Sequence, residues 1–156
     1  LGHQRIGICT TKEIELATNY GLCIARERFA LRNPGVPDIS PLLLPDLGAA
    51  SARIVAKWLR THRVDAVASQ VRGMKELLES TGRRVPQDVS LAYQGVNPKG
   101  TNSGMWQRED IIATVAVESI IASVEQGRLG LPASPRITMI QGSWHPGTTA
   151  RHDMED

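Results

Sequence analysis

The hydrophobic positions of this chain recur with two different periods. Short, nearly continuous apolar runs lie in four segments, at residues 5–9, 41–44, 64–68 and 89–93. Runs of this length are typical of strands that are buried on both faces. Elsewhere the apolar residues return every three or four positions, which places them on one face of a helix. The pattern therefore predicts strands that alternate with helices.

The helical period predicts four helices, over residues 12–31, 49–61, 71–81 and 109–125. Pro34 and Gly35 end the first helix, because proline lacks the amide hydrogen that a helix needs and glycine favours its termination. Residues 97–104 are rich in turn formers and predict a loop. A turn over residues 127–135 and a last strand over residues 136–141 complete the predicted order.

This alternation predicts an α/β fold, with a parallel sheet covered by helices on both sides. Ligands of open α/β sheets bind beyond the carboxyl ends of the strands. The residues that directly follow the predicted strands are therefore candidates for a binding site. Among them, we predict ligand contacts from Thr11, Ser69, Gln70 and Gln94.

The predicted helix over residues 109–125 has an apolar surface that is wider than one face. Its aliphatic residues are Ile111, Ile112, Val115, Val117, Ile120, Ile121 and Val124. A surface helix of a globular protein needs a narrower stripe than this. The pattern indicates two packing partners, and nothing else in the sequence supplies the second.

Composition excludes several classes of protein. With 156 residues, 41% hydrophobic and 22% charged, the chain is typical of a globular domain. The net charge is +2 and the basic residues are scattered, so the chain itself lacks the concentrated patch of a nucleic-acid surface. Cys9 and Cys23 are predicted to be buried free thiols. No membrane-spanning segment, catalytic constellation, metal site or cofactor motif is predicted.

Two motifs carry a family resemblance. Residues 82–93 read as a helix stop at Gly82, a loop fixed by Pro86, and a buried strand. Residues 1–8, Leu-Gly-His-Gln-Arg-Ile-Gly-Ile, show the same order of a turn segment followed by a buried strand, at the other end of a sheet. Together they resemble the inducer-binding region of LacI/GalR transcription regulators. The resemblance implies one lobe of a type I periplasmic-binding-protein-like fold.

In that family, two similar lobes joined by three crossovers bind a small metabolite between them, and a preceding helix-turn-helix domain binds operator DNA as a dimer. The resemblance implies that residues 1–104 form the lobe further from DNA. Residues 105–132 would form a crossover segment and a helix that packs on the other lobe. Residues 133–156 would form a returning strand and tail. The other lobe and the DNA-binding domain are expected outside this chain.

The resemblance also nominates site residues. Where the family has an arginine that holds sugar hydroxyls, this chain has Thr18, and an expected aspartate after the fourth strand is missing near Gln94. The crossover Gln-Asp pair becomes Gln107 followed by Arg108. These losses predict a pocket of neutral donors and acceptors. Trp106 is expected either to stack on a ligand or to pack at the hinge.

The resulting hypothesis is a cytoplasmic regulator and not an enzyme. It would bind a small-molecule effector, a sugar, and would contact operator DNA through a domain outside this chain, as a homodimer. The ligand would be an uncommon sugar or a molecule other than a simple hexose, unless ligand binding has been lost. One alternative is a periplasmic sugar-binding protein of the same architecture. Another is a small α/β enzyme, which would need a nucleophile or paired carboxylates at the strand ends.

Overall fold

The computed structural model describes residues 2–128, 130–131 and 134–151. The six strands within them are β1 (Ile6–Thr11), β2 (Leu42–Leu44), β3 (Ala66–Ser69), β4 (Ser90–Tyr93), β5 (Ser103–Trp106) and β6 (Ser143–Pro146). The five helices are α1 (Lys12–Ala17), α2 (Gly21–Arg32), α3 (Ala49–His62), α4 (Met74–Ser80) and α5 (Glu109–Glu125).

The strands form one sheet in the order β2-β1-β3-β4-β5-β6. All neighbouring pairs are parallel except β5 and β6, which are antiparallel. Because the parallel strands all point the same way, their carboxyl ends meet at one edge of the sheet. The predicted α/β class with a largely parallel sheet is confirmed.

Helices cover both faces of the sheet. Cys9 and Val67 point to the face on which α3 and α4 pack, and they belong to the buried core. Ile8 and Ala68, their neighbours in sequence, point to the opposite face, where they meet side chains of α2. Successive residues of a strand face opposite sides of a sheet, so the continuous apolar runs follow directly from this two-sided burial. Both thiols are free, with Cys9 buried and Cys23 half-buried.

The single helix predicted over residues 12–31 is wrong, because the structure divides it into α1 and α2. Helix α1 ends at its C-cap residue Thr18, whose hydroxyl group donates a hydrogen bond to the carbonyl oxygen of Ile14 at 2.9 Å. Asn19 and Tyr20 then adopt left-handed backbone angles, with φ of 52° and 58°. Such angles cannot continue a right-handed helix. The apolar periodicity on the two sides of the break hid this interruption.

Two further differences lie near the end of the chain. The strand predicted over residues 136–141 is not formed, and the last strand is β6, which starts at Ser143. A strand needs a neighbour for its backbone hydrogen bonds, and residues 136–140 are almost all exposed, with Ile137 at 88%. The predicted loop over residues 97–104 ends early, because β5 begins at Ser103. Residues 129, 132 and 133 of the predicted turn lie outside the described residues, as does the tail from residue 152.

Helix α5 forms over the predicted residues but buries none of its side chains. Ile120 and Val124 are 64% and 60% exposed, and Met139 in the segment before β6 is 86% exposed. We call α5 and residues 134–142 together the apolar arm. Among the described residues, no helix is both long and apolar enough to cross a membrane. The arm therefore presents apolar surface that the rest of the described chain leaves uncovered.

Candidate functional site

A cavity of about 610 Å³ lies at the edge of the sheet where the parallel strands end. Five primary amides line it, from Gln70, Gln94, Asn97, Asn102 and Gln107. Each amide offers both a hydrogen-bond donor and an acceptor, so such a wall can bind hydroxyl groups in either sense. The hydroxyl groups of Thr18 and Tyr93 and the charged side chains of Arg72, Lys75 and Glu76 also line it.

The turn after β3 builds one wall of the cavity. The hydroxyl oxygen of Ser69, which is fully buried, accepts a hydrogen bond from the amide of Val71 at 3.1 Å. This bond holds Val71 in the core, with 3% of its surface exposed. Gln70 and Arg72, on either side of Val71, line the cavity instead. Gly73 then takes a φ of 82°, which side-chain-bearing residues rarely adopt, and leads into α4.

The ends of β4 and β5 build the opposite wall. Strands β4 and β5 pair through Tyr93 and Gly104. Just beyond this pair, the backbone amide of Val96 donates a hydrogen bond to the carbonyl oxygen of Met105 at 3.0 Å. The pairing brings the loop after β4 beside Gln107, whose Nε2 would lie 3.4 Å from a Cβ at Gly95. The Tyr93 hydroxyl accepts a hydrogen bond from Lys75 N at 3.3 Å, and burial raises the pKa of Tyr93. The phenol is therefore neutral and keeps its own hydrogen to donate.

Four of the seven residues predicted from the sequence come together at this cavity, namely Thr18, Gln70, Gln94 and Gln107. The other three, Thr11, Ser69 and Trp106, are not part of its wall. Thr11 caps α1 by accepting a hydrogen bond from Ile14 N at 3.3 Å, and Ser69 fixes the turn described above. Short hydroxyl side chains at strand ends serve local backbone groups as readily as ligands.

Trp106 lies at the junction between the sheet and the apolar arm. The guanidinium of Arg108 lies 4.5 Å from its ring centroid, a cation–π arrangement. Arg108 also donates two hydrogen bonds of 3.1 Å to the Asp110 carboxylate, and these bonds lower the pKa of Asp110. Arg108 itself has a left-handed φ of 57°. Arg108 occupies one face of the Trp106 ring, and which of the two expected roles Trp106 has stays a prediction.

The expectation of a wholly neutral pocket is wrong. Arg72 and Lys75 bring two cations to the cavity and Glu76 brings one carboxylate. The residues predicted from the sequence either directly follow a strand or come from the family resemblance, and Arg72, Lys75 and Glu76 belong to neither group. Gly73 is the sequence feature that could have identified Arg72. A glycine at this position allows a tight turn after β3, and such a turn keeps Arg72 close to the strand ends.

Two solved structures of transcription regulators share this fold. One is the regulator CcpA of Lactococcus lactis, with a TM-score of 0.59 and 12% identity. The other is a LacI family transcriptional regulator from Enterococcus faecium with bound ribose, with a TM-score of 0.58 and 15% identity. Each match covers 96% of this chain and 57% of the regulator. No protein-family model and no curated protein matches the sequence.

These matches confirm the resemblance at the level of the fold. The chain has the architecture of part of a LacI-family regulator, with a periplasmic-binding-protein-like arrangement of strands and helices. It spans little more than half the length of either regulator.

Proposed function

We propose that this chain is the effector-binding lobe of a LacI/GalR-type transcription regulator that acts in the cytoplasm and is not an enzyme. The observation that carries this proposal is the group of five amides at the carboxyl edge of a sheet with this fold. The ligand is a small polyhydroxylated molecule of the sugar class. Its binding shifts a homodimer between states that bind and release operator DNA, by the difference in its affinity for the two states.

The residues proposed to contact the ligand are Thr18, Gln70, Gln94 and Gln107. Their amide and hydroxyl groups suit a polyol, because every sugar hydroxyl both donates and accepts hydrogen bonds. The cavity volume of about 610 Å³ lies in the range typical of small-molecule sites. A second lobe would supply the facing wall of this cavity.

The apolar arm supports the proposed division of the chain. In this division, residues 1–104 form the lobe that supplies all of the cavity wall except Gln107, and residues 105–132 carry α5 towards a second lobe. Residues 133–156 return from it, and β6 rejoins the sheet beside β5. The exposure of the aliphatic side chains on α5 supports a packing partner beyond the described residues, because neighbouring exposed aliphatic side chains often mark an interaction surface.

Ligand binding is tested by NMR titration of the chain with D-ribose and other neutral monosaccharides at millimolar concentration. We expect shifts in the side-chain amide signals of Gln70, Gln94 and Gln107. Replacement Gln107→Ala should weaken the binding about fivefold, because one hydrogen bond is lost. Gln87→Ala is the matched control, because Gln87 is exposed and remote from the cavity. Equal effects of the two variants, or no shifts with any sugar, would contradict the proposed site.

The arm makes a separate prediction about association. We expect the isolated chain to sediment above its monomer mass of 17.0 kDa, because each aliphatic side chain that α5 buries contributes about 1.5–3 kcal/mol. Ile120→Glu should shift the chain towards monomer, whereas Ser119→Glu, which adds the same charge one residue earlier, should shift it much less. A stable compact monomer that binds little hydrophobic dye would count against a role of α5 in packing.

A further inference from the structure

We infer that a second copy of this chain covers the apolar surface beside α2, with helix α5 of one copy packed against α2 of the other. The proposed function places the second lobe outside this chain, so in the chain alone α5 needs another partner. The contact between copies is independent of the ligand. It joins two surfaces of the same molecule that are complementary in shape, apolar character and charge.

The receiving surface lies beside α2, on the side of the sheet opposite to α3 and α4. An apolar cavity of about 300 Å³ lies between α2 and the sheet, and its wall includes Ile6 and Val36. A second cavity, of about 440 Å³, is lined by residues of α2 alone. Ala25 and Phe29 line both cavities, so the two form one continuous surface, which we call the α2 surface. Ile6 and Phe29 are 41% and 47% exposed, so the described chain leaves this surface largely uncovered.

Helix α5 presents the kind of side chains that such a surface binds. Val117, Ile120, Ile121 and Val124 stand at positions i, i+3, i+4 and i+7, so they form one stripe along the helix. Each of the four is 50–64% exposed. Helix α5 buries none of its side chains, so it does not occupy the α2 surface of its own chain. Helices that dock in apolar grooves make contact through residues at this spacing.

Helix α5 is also acidic throughout its length. It contains four acidic residues and no lysine or arginine. Two of the acids, Glu118 and Glu125, lie seven positions apart and therefore flank the apolar stripe on the same side. Neither forms an ion pair within the described residues. Two α5 helices packed against each other would bring like charges together, which disfavours that pairing.

The α2 surface carries the opposite charge. Three arginines line its two cavities, and no acidic residue does. Arg26 is already paired with Glu27 and Asp38. Arg28 and Arg32 form no ion pair among the described residues, although they lie one helical turn apart and repel each other. Carboxylates from α5 of a second copy would offset this repulsion, so the charges favour α5 as the occupant of the α2 surface.

The first test changes the apolar part of the α2 surface. Replacement Phe29→Lys should weaken self-association of the chain about tenfold, as measured by sedimentation velocity, because it places a charge in the centre of the contact. Leu31→Lys is the matched control. Leu31 is also in α2 and is 83% exposed, but it lines neither cavity. Its replacement should change the association much less.

The second test changes only exposed charges and leaves the core intact. Replacing Arg28 and Arg32 together with glutamate should weaken association about fivefold, because the acidic α5 then meets an acidic surface. Replacing Glu118 and Glu125 together with arginine should weaken it to a similar extent. The chain that carries all four replacements should regain most of the association, since the opposite charges are restored with their places exchanged.

A mixing experiment separates contact between α5 and α2 from contact between two α5 helices. The Phe29→Lys chain keeps an unchanged α5, and the Ile120→Glu chain keeps an unchanged α2 surface. Each variant should sediment as a monomer at a concentration where the parent chain associates. Their equimolar mixture should contain a complex of the two, because α5 of the first can pack on α2 of the second. A fluorescent label on one variant identifies this complex.

Several results would overturn the inference. A monomeric parent chain would exclude the contact altogether. Equal association of the parent and the Phe29→Lys chain would show that the α2 surface takes no part. Equal losses in the Phe29 and Leu31 variants would indicate unspecific apolar adhesion. A mixture that stays monomeric, or a four-charge variant that does not recover, would exclude pairing of α5 with α2.

Discussion

Replacing Gly104 with alanine should destabilise this protein by roughly 3–4 kcal/mol. A Cβ atom at this position would lie 2.1 Å from the carbonyl oxygen and 2.8 Å from the nitrogen of Tyr93. The backbone φ of 156° is also one that residues with a side chain rarely adopt. The clash is with backbone, which cannot rotate away, so β5 would have to separate from β4. Urea denaturation of the variant and the parent chain measures the change.

Gly35→Ala is the matched control for this substitution. A Cβ at Gly35 would meet no atom within 4 Å, so we expect a change within about 0.5 kcal/mol. The Gly104 variant should also lose the NMR signature of the cavity, because Gln107 follows β5 directly and would move with it. Equal unfolding free energies for the two variants would show that the contact between β4 and β5 is looser than the structure indicates.

Thr149→Val should cost about 2–4 kcal/mol. The Thr149 hydroxyl is buried, donates to the Leu91 carbonyl at 2.8 Å and accepts from Ser103 N at 2.8 Å. Valine has nearly the same shape but can neither donate nor accept a hydrogen bond. The buried carbonyl of Leu91 and the buried amide of Ser103 would therefore each lose a partner. The Ser103 hydroxyl completes the cluster by accepting hydrogen bonds from Thr149 N at 3.2 Å and Ala150 N at 3.0 Å. This cluster joins the end of the described chain to β4 and β5.

The neighbouring residue supplies the control for the threonine experiment. Thr148 also donates its hydroxyl hydrogen to a carbonyl, that of Thr101 at 3.1 Å, but it is exposed. Water can replace that bond, so Thr148→Val should cost less than about 1 kcal/mol. Thr149→Ser should recover most of the lost stability, because it restores the hydroxyl. If the two valine variants unfold alike under guanidinium, the buried cluster is not a major source of stability.

The elements with a strong apolar period could be predicted from the sequence. The helix α5 and the strands β1, β3 and β4 lie within two residues of their predicted limits. The break between α1 and α2 could not be found in this way, because it depends on the left-handed angles of Asn19 and Tyr20. The prediction of a strand over residues 136–141 was wrong for another reason. Its sequence favours extended backbone, but a strand also needs a partner, and the described chain offers none there.

The residues of the candidate site also fall into those that local sequence could predict and those that depend on the tertiary structure. Gln70 and Gln94 could be nominated because residues that follow parallel strands gather at one edge of a sheet. The resemblance added Thr18 and Gln107. Arg72 was missed because its position depends on the turn that buries Val71. Thr11 and Ser69 were nominated by position alone, and only the structure reveals that their hydroxyl groups bond to the nearby backbone.

The sequence by itself determined the α/β class and the family resemblance, because both depend on short-range periodicity and on motifs that are local in the chain. It also identified α5 as a helix with more apolar surface than one face requires. Only the tertiary structure decided which polar residues meet in one cavity, that two cations lie among the amides, and that Ser103 and Thr149 join distant segments. Contacts between residues 46 positions apart depend on how turns orient each strand end, and a linear pattern does not encode that orientation.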